Sequence, residues 1–349
     1  MAGGIGSRFW PASTDEYPKQ FHDFLGCGKS MLQDAFYRLS AFIPKENIFV
    51  LTNSSYRNLI EEQLPQIGGN QIVYEPALRN TAPCILYAML KIHQLNPNAV
   101  IVVSPSDSWI ENKEAYKKDV LGCLTFCETS SSIATIGIKP IFPSTGYGYI
   151  KYLPSDDCMK KVEQFTEKPE EHTAKKYFSQ EGFFWNSGIF IWNTSTILSA
   201  YKKIQPEMYN ILKYDRYNTQ DEEDFIKENY PKTENISIDY AILEYSKNIY
   251  VRESSFGWND LGTWGALYKE LPKDAGNNAV VNAIPLLKNT KNSIVLTDSK
   301  KTVVVDGLDD YIIVDTKHTL FIYPKGKGQS IKLIRNEVQE LLKNRDSLK

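Results

Sequence analysis

Four short apolar, β-branched runs in the first half of the chain, at residues 48–51, 72–74, 100–103 and 133–138, alternate with helical stretches near 31–42, 56–64, 83–95 and 113–125. Short apolar runs without polar alternation belong to strands buried on both faces. Buried strands separated by helices make an α/β fold around a mainly parallel sheet. The helix after Gly28 opens Ser30-Met31-Leu32-Gln33, a capping-box pattern. At 349 residues the chain has room for about two domains of roughly 150 residues each.

The texture changes at Tyr147. Strand-like pieces at 147–152, 162–166, 188–192 and 249–252 alternate with helices around 174–178 and 238–245. Residues 204–232, rich in Tyr, Asp and Glu, read as a solvated helical insertion. From Asn277 the helices stop, and β runs follow at 279–284, 293–296, 302–305, 311–315 and 319–323. Such a succession predicts a small all-β module, closed by a helix at 330–343. The Pro/Asp/Gly/Asn-rich stretch 272–277 marks the boundary, dividing the chain into residues 1–274 and 275–349.

Composition removes several classes of function. Forty Lys plus Arg against forty-two Asp plus Glu leave a net charge of −2, without the basic excess of a general nucleic-acid or anionic-membrane binder. No apolar run approaches the roughly 18 residues of a membrane span, and MAGGIGSRFWPAS lacks a secretion-signal pattern. Five cysteines without a CxxC pair argue against a disulfide framework or a zinc ribbon. The expected setting is a reducing cytoplasm.

The chemistry is concentrated near the start. Gly3-Gly4-Ile5-Gly6-Ser7-Arg8 is a glycine-dense turn. There, backbone N–H groups can converge on a phosphate without Cβ obstruction, and Arg8 adds a charged fork. A dinucleotide-type G-x-G-x-x-G needs glycine where Phe9 stands. A P-loop ending Gly28-Lys29-Ser30 needs glycine where Asp23 stands, so both readings fail. Glycine count alone would describe a mobile N-terminus.

The continuation changes that reading. Phe9-Trp10-Pro11 and then Tyr17-Pro18-Lys19-Gln20-Phe21 complete the pattern G-G-x-G-x-R-F-W-P…P-K-Q-F. It resembles the signature of the sugar-1-phosphate nucleotidylyltransferases, and within them the bacterial mannose-1-phosphate guanylyltransferases. The resemblance implies that Gly3, Gly4, Gly6 and Ser7 bind nucleotide phosphates, with Arg8 and Lys19 as the catalytic charges. In that family an apolar strand leads into Ala-Gly-Gly. Here Met1 stands directly before Ala2-Gly3-Gly4, so the expectation is a central strand almost entirely missing.

Further segments extend the resemblance. Glu75 in Tyr74-Glu75-Pro76, with Asn80 and Thr81 in Arg79-Asn80-Thr81-Ala82-Pro83, falls where the family builds its guanine pocket. Without the resemblance, Asn80-Thr81 reads equally well as a helix cap before Pro83. Ser106 and Asp107 follow the apolar run 100–103, beyond the carboxyl end of a strand where open α/β sheets gather ligands. The resemblance makes Ser106 a nucleotide contact and Asp107 a magnesium ligand, although Ser108 replaces the family's usual His. Asp260, in Gly257-Trp258-Asn259-Asp260-Leu261-Gly262-Thr263-Trp264, matches the motif that supplies the second metal carboxylate.

The sugar-phosphate half follows the same pattern. Gly148 lies in Gly146-Tyr147-Gly148-Tyr149-Ile150, Glu167 and Lys168 in Phe165-Thr166-Glu167-Lys168-Pro169, and Asn186 in Trp185-Asn186-Ser187-Gly188. The resemblance assigns sugar hydroxyls to Glu167 and Asn186, the sugar phosphate to Lys168, and a close backbone approach to Gly148. Asp239, in Ser237-Ile238-Asp239-Tyr240-Ala241, joins them. It reads equally as an acid complementing a helix N-terminus.

Taken whole, the resemblance implies a nucleotide-diphospho-sugar transferase fold, Rossmann-like with a mostly parallel sheet, carrying a small β-helix-like C-terminal module. It implies Mg²⁺ as cofactor and GTP and mannose 1-phosphate as substrates, converted to GDP-mannose and pyrophosphate by in-line attack. No second enzyme domain, such as the isomerase of bifunctional relatives, is expected. Three other readings stay open: a guanylyltransferase for a manno-heptose or fucose 1-phosphate, a regulatory paralogue that binds nucleotide sugar, and a scaffold using the β tail. The tail also offers a surface for a homodimer.

Overall fold

Residues 1–346 are described by the computed structural model. Their contacts sort into two compact units, each assembled from segments distant in sequence. The first comprises residues 1–3, 38–105 and 110–258, and the second residues 4–37, 106–109 and the chain from 259 onward. A single cut between 274 and 275 does not produce this division. Phe9, Ala12 and Phe24 of the glycine-rich N-terminal segment share one apolar core with Leu261, Trp264, Ala279 and Ile312. Residues 347–349 of the expected C-terminal module lie outside the described residues.

In the first unit, β1 (Val50–Asn53) and β2 (Ile72–Glu75) form a parallel pair. A six-stranded sheet holds β3 (Val100–Val103), β4 (Ile133–Ile138), β5 (Tyr149–Tyr152), β6 (Met159–Thr166), β7 (Phe183–Asn193) and β8 (Ile249–Glu253). Their order is β3-β7-β4-β8-β6-β5. β4 and β8 are parallel, and β7 runs antiparallel between β3 and β4, so β3, β4 and β8 all point the same way.

Alternation along β4 sets the layers. All its residues are buried, and successive side chains face opposite sides of a sheet. Ile133 joins the core that holds Ile85 of α1 (Thr81–Leu95) and Ile197 of α2 (Thr194–Ile204). Ala134, the next residue, joins the core that holds Val120 and Cys123 of α3 (Lys113–Thr129). Helices therefore cover both faces, the α/β arrangement expected for doubly buried strands.

The insertion 204–232 is helical over Pro206–Leu212 and Glu222–Asn229, but it is not solvated as expected. Met208, Leu212, Ile226 and Tyr230 are buried in the α1 core. Tyrosine permits this because each buried hydroxyl finds an acceptor: Tyr217 donates to Leu212 O at 2.6 Å, and Tyr230 donates to Glu75.

In the second unit the capping box forms as written. Ser30 N–H donates to Gln33 Oε1 at 3.0 Å, and Gln33 N–H donates to Ser30 Oγ at 3.2 Å. β9 (Ala279–Lys288), β10 (Ile294–Asp306), β11 (Tyr311–Asp315) and β12 (Leu320–Pro324) form one sheet in chain order. The first three stack in parallel and β12 returns antiparallel, consistent with a β-helix-like module. The runs expected at 293–296 and 302–305 belong to one strand, in which the pairing with β9 shifts register between Leu296 and Lys301, so the polar residues between them interrupt the ladder without ending the strand.

Candidate active site

Most of the residues expected to bind nucleotide phosphates assemble within the second unit. Gly6 sits at φ 68°, and a Cβ there would overlap the Lys19 side chain, so the turn and the lysine pack only with glycine between them. Ser7 opens a single turn, Ser7–Phe9, that buries Phe9 against Phe24 and Trp264 at ring separations of 4.7 and 5.1 Å. Gly4 and Arg8 stay exposed on its outer side. Trp264 in the family-type motif is thus a core residue.

Lys19 is 4% exposed. Its Nζ donates to Asp107 O and Asp107 Oδ2, both at 2.9 Å, and to Asp260 O at 2.8 Å. Two acids distant in sequence are thereby gathered around one ammonium. Asp260 Oδ1 accepts from Gly262 N–H at 3.1 Å, and Arg8 Nη1 reaches Gly262 O at 3.4 Å. Beside Asp107, Ser106 is 5% exposed, and its Oγ has no hydrogen-bond partner.

These donors suit magnesium. Asp107 and Asp260 supply hard carboxylate oxygens, and the orphaned Ser106 hydroxyl adds a neutral one. No group of three or more His, Cys, Asp or Glu side chains gathers to hold a metal among the described residues.

The residues expected to bind the sugar phosphate assemble within the first unit, through strand register. β5 pairs antiparallel with both β6 and β7, setting Tyr149 opposite Thr166 and opposite Trp185. One step beyond those partners stand Gly148, Glu167 and Asn186. Asn186 N–H donates to Gly148 O at 2.8 Å, and a Cβ on Gly148 would strike Glu167. Lys168, held at φ 42°, pairs with Glu167. Asn186 Nδ2 donates to Asp239 Oδ1 at 3.0 Å, so all five expected residues form one cluster.

Asp239 lies partly buried at the head of the short helix Ile238–Ala241. Burial first, and then the neighbouring Glu167 charge, raise its carboxyl to about 7 against the opposing pull of Lys168. A carboxyl raised on folding favours its neutral form, so the stability it confers is lost as pH rises through about 7. Asp239→Asn removes that loss. Its Tm relative to the unsubstituted chain should therefore be higher at pH 8 than at pH 6; an unchanged difference would refute the shift.

The remaining expected nucleotide residues sit at the tops of β2 and α1. A Cβ on Gly3 would lie 3.2 Å from Glu75 Oε1. Glu75 is turned inward, 5% exposed. It accepts from the Tyr230 hydroxyl, and burial raises its carboxyl above the usual range. Asn80 caps α1 by accepting from Thr81 N–H at 2.9 Å, and Thr81 Oγ1 accepts from Ile238 N–H at 2.9 Å. The cap reading of Asn80 is thus realised, and Thr81 ties this turn to the segment bearing Asp239. Sequence reasoning missed Tyr230 and also Glu244, whose Oε1 accepts from Glu167 N–H at 3.2 Å. Neither lies in a recognisable motif.

The fold is that of an α/β protein, with carboxylates and a lysine ammonium gathered in each of its two clusters. The sequence model of the family described as "Nucleotidyl transferase" matches residues 1–277. The chain is 32% identical to the mannose-1-phosphate guanylyltransferase of Escherichia coli, over 98% of this chain and 74% of that protein. It is 33% identical to the Salmonella muenchen protein of the same name, over 96% and 71%. The crystal structure of a protein described as mannose-1-phosphate geranyltransferase from Thermus thermophilus matches with a TM-score of 0.87 at 25% identity, covering 97% of this chain and 98% of that one. The chain belongs to the nucleotidyl transferase family and groups there with the mannose-1-phosphate guanylyltransferases.

Proposed function

We propose that the enzyme transfers GMP from GTP to mannose 1-phosphate, giving GDP-mannose and pyrophosphate. The observation that carries this reading is the convergence of Gly148, Glu167, Lys168, Asn186 and Asp239: acceptors suited to sugar hydroxyls beside a cation suited to a phosphate. The names of the relatives point to the same substrates. Gly4, Gly6, Arg8 and Lys19 receive the nucleotide phosphates, and Glu75, Asn80 and Thr81 border the base. Asp107 and Asp260 would hold a magnesium ion, whose charge would offset part of that on the triphosphate.

The sugar-phosphate oxygen is already anionic near neutral pH, so it attacks the α-phosphorus without a general base. As the new O–P bond forms, the bond to pyrophosphate breaks. Arg8 and Lys19 balance the charge building on the leaving group, so catalysis rests on positioning and electrostatics. The reaction is assigned to the cytoplasm, in keeping with five free cysteines. Among the described residues no helix is long and apolar enough to cross a membrane. Self-association as a homodimer belongs to the same proposal: Leu286 and Val304 face each other across the β9–β10 ladder and are 49% and 64% exposed.

The test is Mg²⁺-dependent pyrophosphate release with GTP, ATP, UTP and dTTP against a panel of sugar 1-phosphates. Turnover confined to GTP with mannose 1-phosphate is the expected result. Preference for a manno-heptose or fucose phosphate would move the substrate, and GDP-mannose binding without turnover would replace the enzyme by a regulatory paralogue. Asn186→Ala should raise KM for the sugar phosphate about tenfold, the worth of one hydrogen bond near 1.4 kcal/mol, with kcat little changed. A fall in kcat alone would remove Asn186 from sugar binding.

A further inference from the structure

Ser13 lies in the second unit between the glycine turn and Lys19, and it is 0% exposed. A serine hydroxyl buried this deeply needs an acceptor for its proton. The acceptor it finds is inside the glycine turn. Ser13 Oγ donates to Ile5 O at 2.5 Å, the carbonyl between Gly4 and Gly6. Ser13 N–H donates to Phe9 O at 3.0 Å, which fixes the backbone from which the hydroxyl reaches. The same Ile5 carbonyl accepts from Lys19 N–H at 3.3 Å. One oxygen therefore ties the turn both to a buried side chain and to the backbone of the residue whose ammonium meets Asp107.

The direction of that carbonyl decides where the next amide points. The Ile5–Gly6 peptide is trans, and a trans peptide sets its C=O and the following N–H on opposite sides of one rigid plane. With Ile5 O held inward by two donors, Gly6 N–H is turned outward. It meets no acceptor among the described residues, and neither do the N–H groups of Gly4 and Ser7. Gly6 takes φ 68° and ψ 40° and is followed by the right-handed turn Ser7–Phe9. Successive amides in such a left-handed then right-handed sequence converge on one concave point suited to an anion, and exposed Arg8 belongs to the same turn.

We propose that Ser13 is a positioning residue for the nucleotide phosphates: its hydroxyl locks the Ile5–Gly6 peptide with the amide outward, so the turn is set before an anion arrives. The inference rests on the reading that this turn receives the triphosphate. Ser13 touches no substrate and acts through the peptide it holds. Without its hydroxyl, Ile5 O keeps only the longer bond from Lys19 N–H, and the glycine at the far end of the peptide lets the plane rotate at little cost. An outward carbonyl then repels the anion that an outward amide attracts. Only groups that meet this turn should feel the loss.

Calorimetry with inorganic tripolyphosphate, which carries the anion without base or sugar, reads the turn directly. The unsubstituted chain should bind it saturably, and Ser13→Ala should bind it about tenfold more weakly, the scale of one oriented hydrogen bond. KM for GTP should rise by the same factor, while KM for mannose 1-phosphate and inhibition by guanosine, which has no phosphate, stay constant. Ser13→Cys keeps a weaker donor in the same place and should weaken tripolyphosphate binding about threefold. It decides the question if Ser13→Ala does not fold. Equal tripolyphosphate affinity in the unsubstituted and substituted chains would overturn the positioning role and leave the phosphate reading intact. Losses of one size for tripolyphosphate, guanosine and mannose 1-phosphate would also overturn it, because they mark general disruption rather than a turned peptide. Absence of tripolyphosphate binding to the unsubstituted chain would remove the phosphate reading and the role together.

Discussion

Lys19→Ala should lower kcat for nucleotidyl transfer roughly 10²–10³-fold, the cost of removing one preorganised charge donor, while KM for the sugar phosphate stays nearly constant. Lys19 is buried and fixed by Asp107 and the Asp260 carbonyl, so its ammonium is positioned before substrate arrives. Steady-state kinetics read the effect, and circular dichroism with Tm confirms folding. Lys19→Arg should recover little, because the lysine stem passes against Gly6 where no Cβ fits, and a guanidinium fork cannot occupy the space of a compact ammonium. Full turnover in Lys19→Ala would remove the lysine from the catalytic assignment.

The second large effect is on stability. Lys91 donates to both Glu222 oxygens, at 2.7 and 2.5 Å, and the Tyr87 hydroxyl donates to Glu222 Oε1 at 2.5 Å. The two charged side chains are only 7% and 10% exposed. Removing one partner strands a buried charge, so Lys91→Ala should cost about 3–5 kcal/mol and lower Tm by roughly 10 °C. The double replacement Lys91→Met with Glu222→Leu should recover most of that loss, because no charge is left unpaired. Chemical denaturation of both variants measures the difference. A double variant as unstable as the single one would show that the site depends on packing rather than charge.

The Lys91–Glu222 pair lies where sequence reading was weakest. Glu222 belongs to the segment 204–232, which its Tyr, Asp and Glu content marks as solvent-facing. Composition cannot distinguish a tyrosine or glutamate in water from one buried with its polar atoms satisfied, and here Tyr217, Glu222 and Tyr230 are all satisfied internally. Strand β4 was legible to the residue, since burial on both faces writes a nearly continuous apolar run, and β3 was legible too from its four apolar residues although three of them are only partly buried. The capping box was equally legible, because both of its hydrogen bonds lie within four residues.

The candidate site divides along the same line. By itself the sequence determined the residue types: a glycine turn with Arg8 and Lys19, two separate acids, and the Gly, Glu-Lys, Asn and Asp segments that mark the family. Those choices follow from local chemistry, since phosphate needs cations and open backbone, and hydroxyls need acceptors. Only the tertiary structure decided which of them meet. The antiparallel register of β5 with β6 and β7 brings Gly148, Glu167 and Asn186 together, and the buried Lys19 ammonium draws Asp107 and Asp260 to one point. It also turned Glu75 inward onto Tyr230, and it assembled each compact unit from segments distant in the chain. Such pairings depend on strand order and shared cores between residues scores of positions apart, and no local pattern encodes them.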